Sequence, residues 1–119
     1  MQIIFDEKLI PSLKQRYVVL ELDTVMQPDM TAPITLHALI ENIEMDKLPS
    51  LINLIQQHEA MVKFYKNSEW DKATFEAYAM KGQWHGELDE FYDLVITTSE
   101  EYRKSNSIWT GIRYTTPID

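Results

Sequence analysis

The sequence contains no cysteine and only three glycines among its 119 residues. Without cysteine, the chain has no disulfide, no cysteine-ligated zinc site and no thiol nucleophile. The few glycines leave no P-loop, no GxGxxG motif and no GxSxG nucleophile elbow. Long apolar runs are missing too, since no window approaches the roughly 18 consecutive apolar residues of a membrane span. The remaining composition, 45% apolar and 25% charged, is typical of a soluble globular domain.

Basic residues are also scarce. The chain contains 11 Lys and Arg but 19 Asp and Glu, which gives a net charge of −8. A negative field repels phosphate, which argues against direct binding to nucleic acid or to an anionic membrane. The same charge suits a protein partner with a basic surface, or it serves solubility alone. The first seven residues have no basic region typical of a secretory signal. We therefore expect a cytoplasmic protein.

The apolar pattern predicts one domain over residues 1–119, since no linker or internal repeat divides the chain. Residues 1–45 are β-rich, residues 46–106 are helical, and residues 107–116 alternate as a closing strand. The expected fold class is α+β. Its architecture is a small, mostly antiparallel sheet of three or four strands, with three helices packed on one face.

The β-rich front contains apolar runs that are expected to be strands, at residues 2–5, 17–25 and 33–41. In the second run, Leu20 belongs to the apolar face and Asp23 to the polar face, because the alternation has period two. A short helix at residues 6–14, capped by Asp6, is expected between the first two runs.

The helical part shows apolar residues at three- and four-residue spacing in three stretches. Asp46 is placed to cap the first helix, which runs to about residue 66. Ser68 is placed to cap the second, with Asp71 three residues later as in a capping box. Gly82 ends the second helix, and Glu87 begins the third.

The three histidines, His37, His58 and His85, form no HExxH or other metal-binding motif. His58 lies on the same helical stripe as Val62 and Tyr65, which favours a structural role. We therefore expect no bound metal and no cofactor.

One segment concentrates negative charge next to an aromatic turn. Trp84 and His85 lie on that turn, and no Lys or Arg occurs from residue 87 to residue 93. Exposed carboxylates beside an aromatic ring suit recognition of a basic protein surface, although acids in a first helical turn also complement the helix dipole. The predicted partner-binding residues are Trp84, His85, Glu87, Asp89, Glu90 and Asp93.

A resemblance extends over less than half of the chain, from Glu41-Asn42-Ile43 through Trp70 to the run Trp84-His85-Gly86-Glu87-Leu88-Asp89-Glu90-Phe91-Tyr92. In this part the sequence resembles small uncharacterised open reading frames of tailed phages. The resemblance brings no activity with it. It implies a phage-encoded accessory protein that works in the cytoplasm of a bacterial host.

The sequence favours a small acidic, non-enzymatic module that binds and regulates another protein. One version is an inhibitor of a basic nucleic-acid-binding protein, to which it presents its carboxylates. One alternative is a small hydrolase or metal-dependent enzyme that uses His85, Glu87 and Asp89. Another alternative is a structural subunit of a larger assembly. The sequence is also compatible with a homo-oligomer.

Overall fold

The computed structural model describes residues 1–41, 43, 48–105 and 107–115. The chain divides into two compact units. The sheet unit comprises Met1–Ile43 and Ile112–Asp119, and the helical unit comprises Glu44–Gly111. The expected α+β class is confirmed. The single cooperative domain and the packing of the helices on one face of the sheet stay predictions.

The sheet unit contains four strands and a short helix. They are β1 (Gln2–Ile4), α1 (Ile10–Lys14), β2 (Val18–Met26), β3 (Ile34–Ile40) and β4 (Arg113–Tyr114). The strand order is β1-β3-β2-β4. Strand β3 pairs antiparallel with both β1 and β2, but β4 pairs parallel with β2. The sheet is therefore mixed.

The helix α1 begins after a 3-10 turn at Glu7–Leu9. The side chain of Asp6 caps that turn, which confirms the predicted cap. The Asp6 carboxylate accepts a hydrogen bond from the Lys8 amide at 3.0 Å. Ile10 of α1 packs with Val19 and Leu39 in a buried cluster. The short helix thus covers one face of the β2–β3 pair.

A β-bulge interrupts the alternation in β2. Glu21 pairs with His37 and Thr24 with Thr35, so two residues of β2 lie opposite one residue of β3. The expectation that Asp23 faces solvent is wrong, because Asp23 lies in the bulge and is only 2% exposed. Arg113 of β4 donates a hydrogen bond to its carboxylate at 2.5 Å.

The closing strand is shorter than the alternation predicts. Within residues 107–115 the strand that pairs with β2 is Arg113–Tyr114, whereas Ile108 is almost fully exposed. Trp109 belongs to the helical unit, where its indole N–H donates to the Tyr65 carbonyl at 2.9 Å. Its ring also lies 4.8 Å from the Tyr102 ring, centroid to centroid. The aromatic contacts hold Trp109, so residues 107–112 do not join the sheet.

The helical unit consists of α2 (Leu48–Lys66), α3 (Trp70–Met80) and α4 (Asp89–Ser105). Helix α3 packs against both α2 and α4. With α1, the described residues hold four helices, one more than the expected architecture counted. The predicted cap Asp46 lies outside the described residues. Residues that the three long helices bury include Met61, Val62, Tyr65, Ala73, Ala77, Met80, Tyr92 and Val95.

Ser68 does not cap α3, so the predicted capping box is wrong. Ser68 has a φ of +63° and follows the end of α2. The Glu69 amide bonds the Phe64 carbonyl at 2.9 Å, and the Ser68 amide bonds the Tyr65 carbonyl at 3.3 Å. This pair of bonds is the Schellman motif, in which a left-handed residue ends a helix. Ser68 therefore terminates α2.

Candidate functional site

The turn before α4 adopts a left-handed backbone. Trp84, His85 and Gly86 have φ values of +54°, +56° and +76°. Only glycine adopts this region without strain, and each of the other two residues costs roughly 1–2 kcal/mol. The Gly86 amide bonds the Gln83 carbonyl at 2.9 Å and closes the turn. A strained turn of this kind needs compensation from tertiary packing.

Burial of Trp84 supplies that compensation. The side chain is only 5% exposed, and a buried tryptophan is one of the largest apolar contributions that a single residue makes. The aromatic that we expected at the partner surface is therefore in the core. Trp84 cannot supply contact area to a partner, although it fixes the turn that carries His85 at the surface.

His58 and Tyr92 form a buried polar contact close to Trp84. His58 Nδ1 and the Tyr92 hydroxyl are 2.8 Å apart, and both residues are fully buried. Burial raises the pKa of the Tyr92 hydroxyl above its ordinary value, and the Trp84 indole N–H offsets this in part. His58 is thus placed in the core, as its stripe indicates. Its environment includes a hydrogen-bond partner from α4, which the apolar stripe does not reveal.

Asp89 and Asp93 of the acidic segment, residues 87–93, make contacts within the helical unit. Asp89 accepts a hydrogen bond from the Gly82 amide at 2.9 Å. Asp93 pairs with Lys81 at 2.7 Å. The hydrogen bond to Asp93 raises the pKa of the Lys81 ammonium, and the charges of Asp93, Asp89 and Tyr78 raise it further. These contacts fix the position of the acidic segment relative to the end of α3.

The remaining predicted site residues, His85, Glu87 and Glu90, are exposed. Glu90 follows Asp89 at the start of α4, where negative charge also complements the helix dipole. The structure therefore brings five of the six predicted residues to one exposed or half-exposed segment and places only Trp84 in the core.

The outer face of α3, formed by Phe75 and Tyr78, carries exposed aromatic surface. Phe75 is 71% exposed and Tyr78 is 58% exposed. Neither residue belongs to the predicted partner-binding set, although the sequence carries a signal for their exposure. The buried residues of α3 are Ala73, Ala77 and Met80. Residues 75 and 78 are three apart and lie outside this buried stripe, so helical periodicity places them together on another face.

Ion pairs join α3 and α4 near both ends of α3. Asp71 pairs with Arg103 at 2.7 Å, and Lys81 pairs with Asp93 at the same distance. Both pairs are exposed, so neither adds much to the stability of the fold. Together they tie both ends of α3 to α4, and the Lys81–Asp93 pair joins the C-terminal end of α3 to the acidic segment.

No family model, no curated protein and no solved structure matches this sequence. Among the described helices, none has both the length and the apolar character needed to cross a membrane. Within residues 1–41, 43, 48–105 and 107–115, no group of three or more His, Asp or Glu side chains is placed to hold a metal ion. The geometry of the acidic segment is therefore the basis for a functional proposal.

Proposed function

We propose that this chain is a small acidic protein-binding module that acts on a partner with a basic surface. The acidic segment, residues 87–93, is the contact region. The observation that carries the proposal is the exposure of Glu87, Glu90 and Asp93 along a segment without Lys or Arg. Its place of action is the cytoplasm, and the resemblance to tailed-phage reading frames favours that of a bacterial host.

The charge of the helical unit supports electrostatic steering. The helical unit contains 12 acidic and seven basic residues, whereas the sheet unit contains seven acidic and four basic residues. An excess of one sign raises the rate at which an oppositely charged partner arrives, and the effect weakens as salt screens it. The acidic segment lies in the more negative of the two units.

The way that Asp89 and Asp93 are held supports binding over catalysis. Asp89 is bonded to a backbone amide and Asp93 to an ammonium group. Such contacts hold each carboxylate in one position. A fixed negative charge suits recognition, whereas a general acid must release and regain a proton during each turnover.

Charge reversal at Glu90 tests the proposal. The probe is an immobilised peptide of alternating arginine and glycine residues, and association is measured at about 50 mM and about 200 mM salt. We expect Glu90→Lys to slow association at low salt and to flatten its salt dependence. Glu101→Lys is the matched control, because it reverses an exposed acid near the other end of α4.

The control separates a local effect from a change of net charge, since each variant replaces one negative charge by one positive charge and raises the net charge by two. Equal association rates for Glu90→Lys and the wild type would contradict the proposal. Equal slowing by Glu90→Lys and Glu101→Lys would contradict the assigned contact region. Thermal unfolding of both variants confirms that the fold survives.

A further inference from the structure

We infer that the outer face of α3, Phe75 and Tyr78, is the aromatic half of the partner site and stacks against arginine side chains of the partner. This inference rests on the proposed function, because the acidic segment supplies the charge that attracts those arginines.

Exposure and spacing make the two rings one surface. Phe75 and Tyr78 are three residues apart on α3, and side chains at that spacing lie side by side on a helix. Single exposed apolar residues are common on proteins, but two adjacent aromatic rings form a continuous contact area. Tyrosine is among the residues that contribute most to the energy of protein interfaces.

Negative charge lies beside these rings. Tyr78 is one helical turn before Lys81, whose ammonium group pairs with Asp93 at 2.7 Å. Asp89 bonds the next residue, Gly82, through its amide. The C-terminal end of α3 therefore has carboxylates next to its exposed aromatic residues, and a cationic partner complements both.

Two lysines of α3 and its C-terminus already make both kinds of contact that such a partner would use. The Lys72 ammonium lies 5.5 Å from the centre of the Phe64 ring. The Lys81 ammonium lies against the Asp93 carboxylate. A cation over a ring and a cation against a carboxylate therefore both occur within the helical unit, at Phe64 of α2 and at Asp93 of α4.

Arginine suits this surface better than lysine. Its guanidinium group is planar, stacks on aromatic rings and keeps donors for a carboxylate at its edge. The lysine ammonium is more strongly hydrated and has no plane to stack. The inference therefore predicts a preference for arginine over lysine among otherwise identical basic partners.

Two probe peptides test this preference, one of alternating arginine and glycine and one of alternating lysine and glycine. We expect the wild-type chain to bind the arginine peptide more tightly, by about twofold to fivefold for each ring that stacks. Phe75→Leu/Tyr78→Leu keeps apolar area on a helix but removes both rings. We expect this variant to bind the two peptides equally.

A matched control is Phe5→Leu/Tyr17→Leu, which removes one exposed phenylalanine and one exposed tyrosine from the sheet unit. It should keep the preference for arginine. A preference that survives Phe75→Leu/Tyr78→Leu, or that is absent from the wild type, would overturn the inference. Circular dichroism establishes that each double variant is folded, and Tyr78→Leu alone repeats the test with a smaller change.

The two proposals fail in different ways. If both peptides bind equally but Glu90→Lys still slows association, the aromatic inference is wrong and the acidic contact region stands. If neither peptide binds the wild-type chain in a salt-dependent manner, the proposed function is wrong and the inference falls with it.

Discussion

In the sheet unit the carboxylate of Asp23 is buried and pairs with Arg113, whereas in the helical unit Asp71 and Asp93 pair with basic residues at the surface. A buried carboxylate has lost its water and depends on its partner. An exposed carboxylate keeps its water and gains little from pairing. Asp23 therefore contributes to the fold of the sheet unit, whereas Asp71 and Asp93 of the helical unit stay accessible to solvent.

Removal of Arg113 should produce the largest loss of stability. Arg113→Ala leaves the buried Asp23 carboxylate without its cation, which costs about 3–5 kcal/mol. Asp23 Oδ1 is also buried and has no hydrogen bond within the described part of the chain. Urea unfolding measures the loss.

Two further variants sharpen the Arg113 experiment. Arg103→Ala breaks an exposed pair and should cost less than about 1 kcal/mol. Asp23→Leu/Arg113→Met removes both charges and should recover much of the lost stability. A loss for Arg113→Ala as small as that for Arg103→Ala would remove the distinction between the units.

A smaller effect is expected at the buried polar contact of the helical unit. His58→Leu removes the hydrogen bond to Tyr92 and leaves a buried hydroxyl, at a cost of about 1–3 kcal/mol. Tyr92→Phe removes the same contact from the side of the buried His58 Nδ1 and should cost a similar amount. A double-mutant cycle of the two by urea unfolding gives the coupling energy, and a value near zero would show that the contact does not contribute.

The smallest effect is a gain at Ser68. Ser68→Gly should stabilise the chain by about 1 kcal/mol, because glycine adopts the left-handed backbone of a Schellman motif without strain. Asn67→Gly is the control, since Asn67 does not have positive φ and should only lose stability. A loss for Ser68→Gly in thermal unfolding would instead support a capping role for the serine.

Local patterns identified most of the elements. Period-two alternation located β2 and β3, and three- and four-residue spacing located the three long helices. Asp6 was identified as a cap because a short acidic side chain before a turn has few other roles. Ser68 was misassigned because serine suits both a helix start and a left-handed helix end, and only the backbone distinguishes the two.

The errors that matter for function depend on contacts distant in sequence. The burial of Asp23 requires a bulge and an arginine ninety residues later, neither of which alternation reveals. Trp84 is buried because two non-glycine residues accept a left-handed turn, which no local propensity favours. The sequence located the acidic segment but revealed neither the burial of Trp84 nor the exposure of Phe75 and Tyr78.

The most direct test of the account is an NMR titration of the isotope-labelled chain with the arginine–glycine peptide. The account predicts that amide shifts change at the acidic segment and along the outer face of α3, and that these changes weaken as salt is added. Glu101 and the exposed acids of the sheet unit, such as Glu7 and Asp29, should not respond. Shift changes centred on the sheet unit, or spread evenly over all acidic residues, would contradict the account.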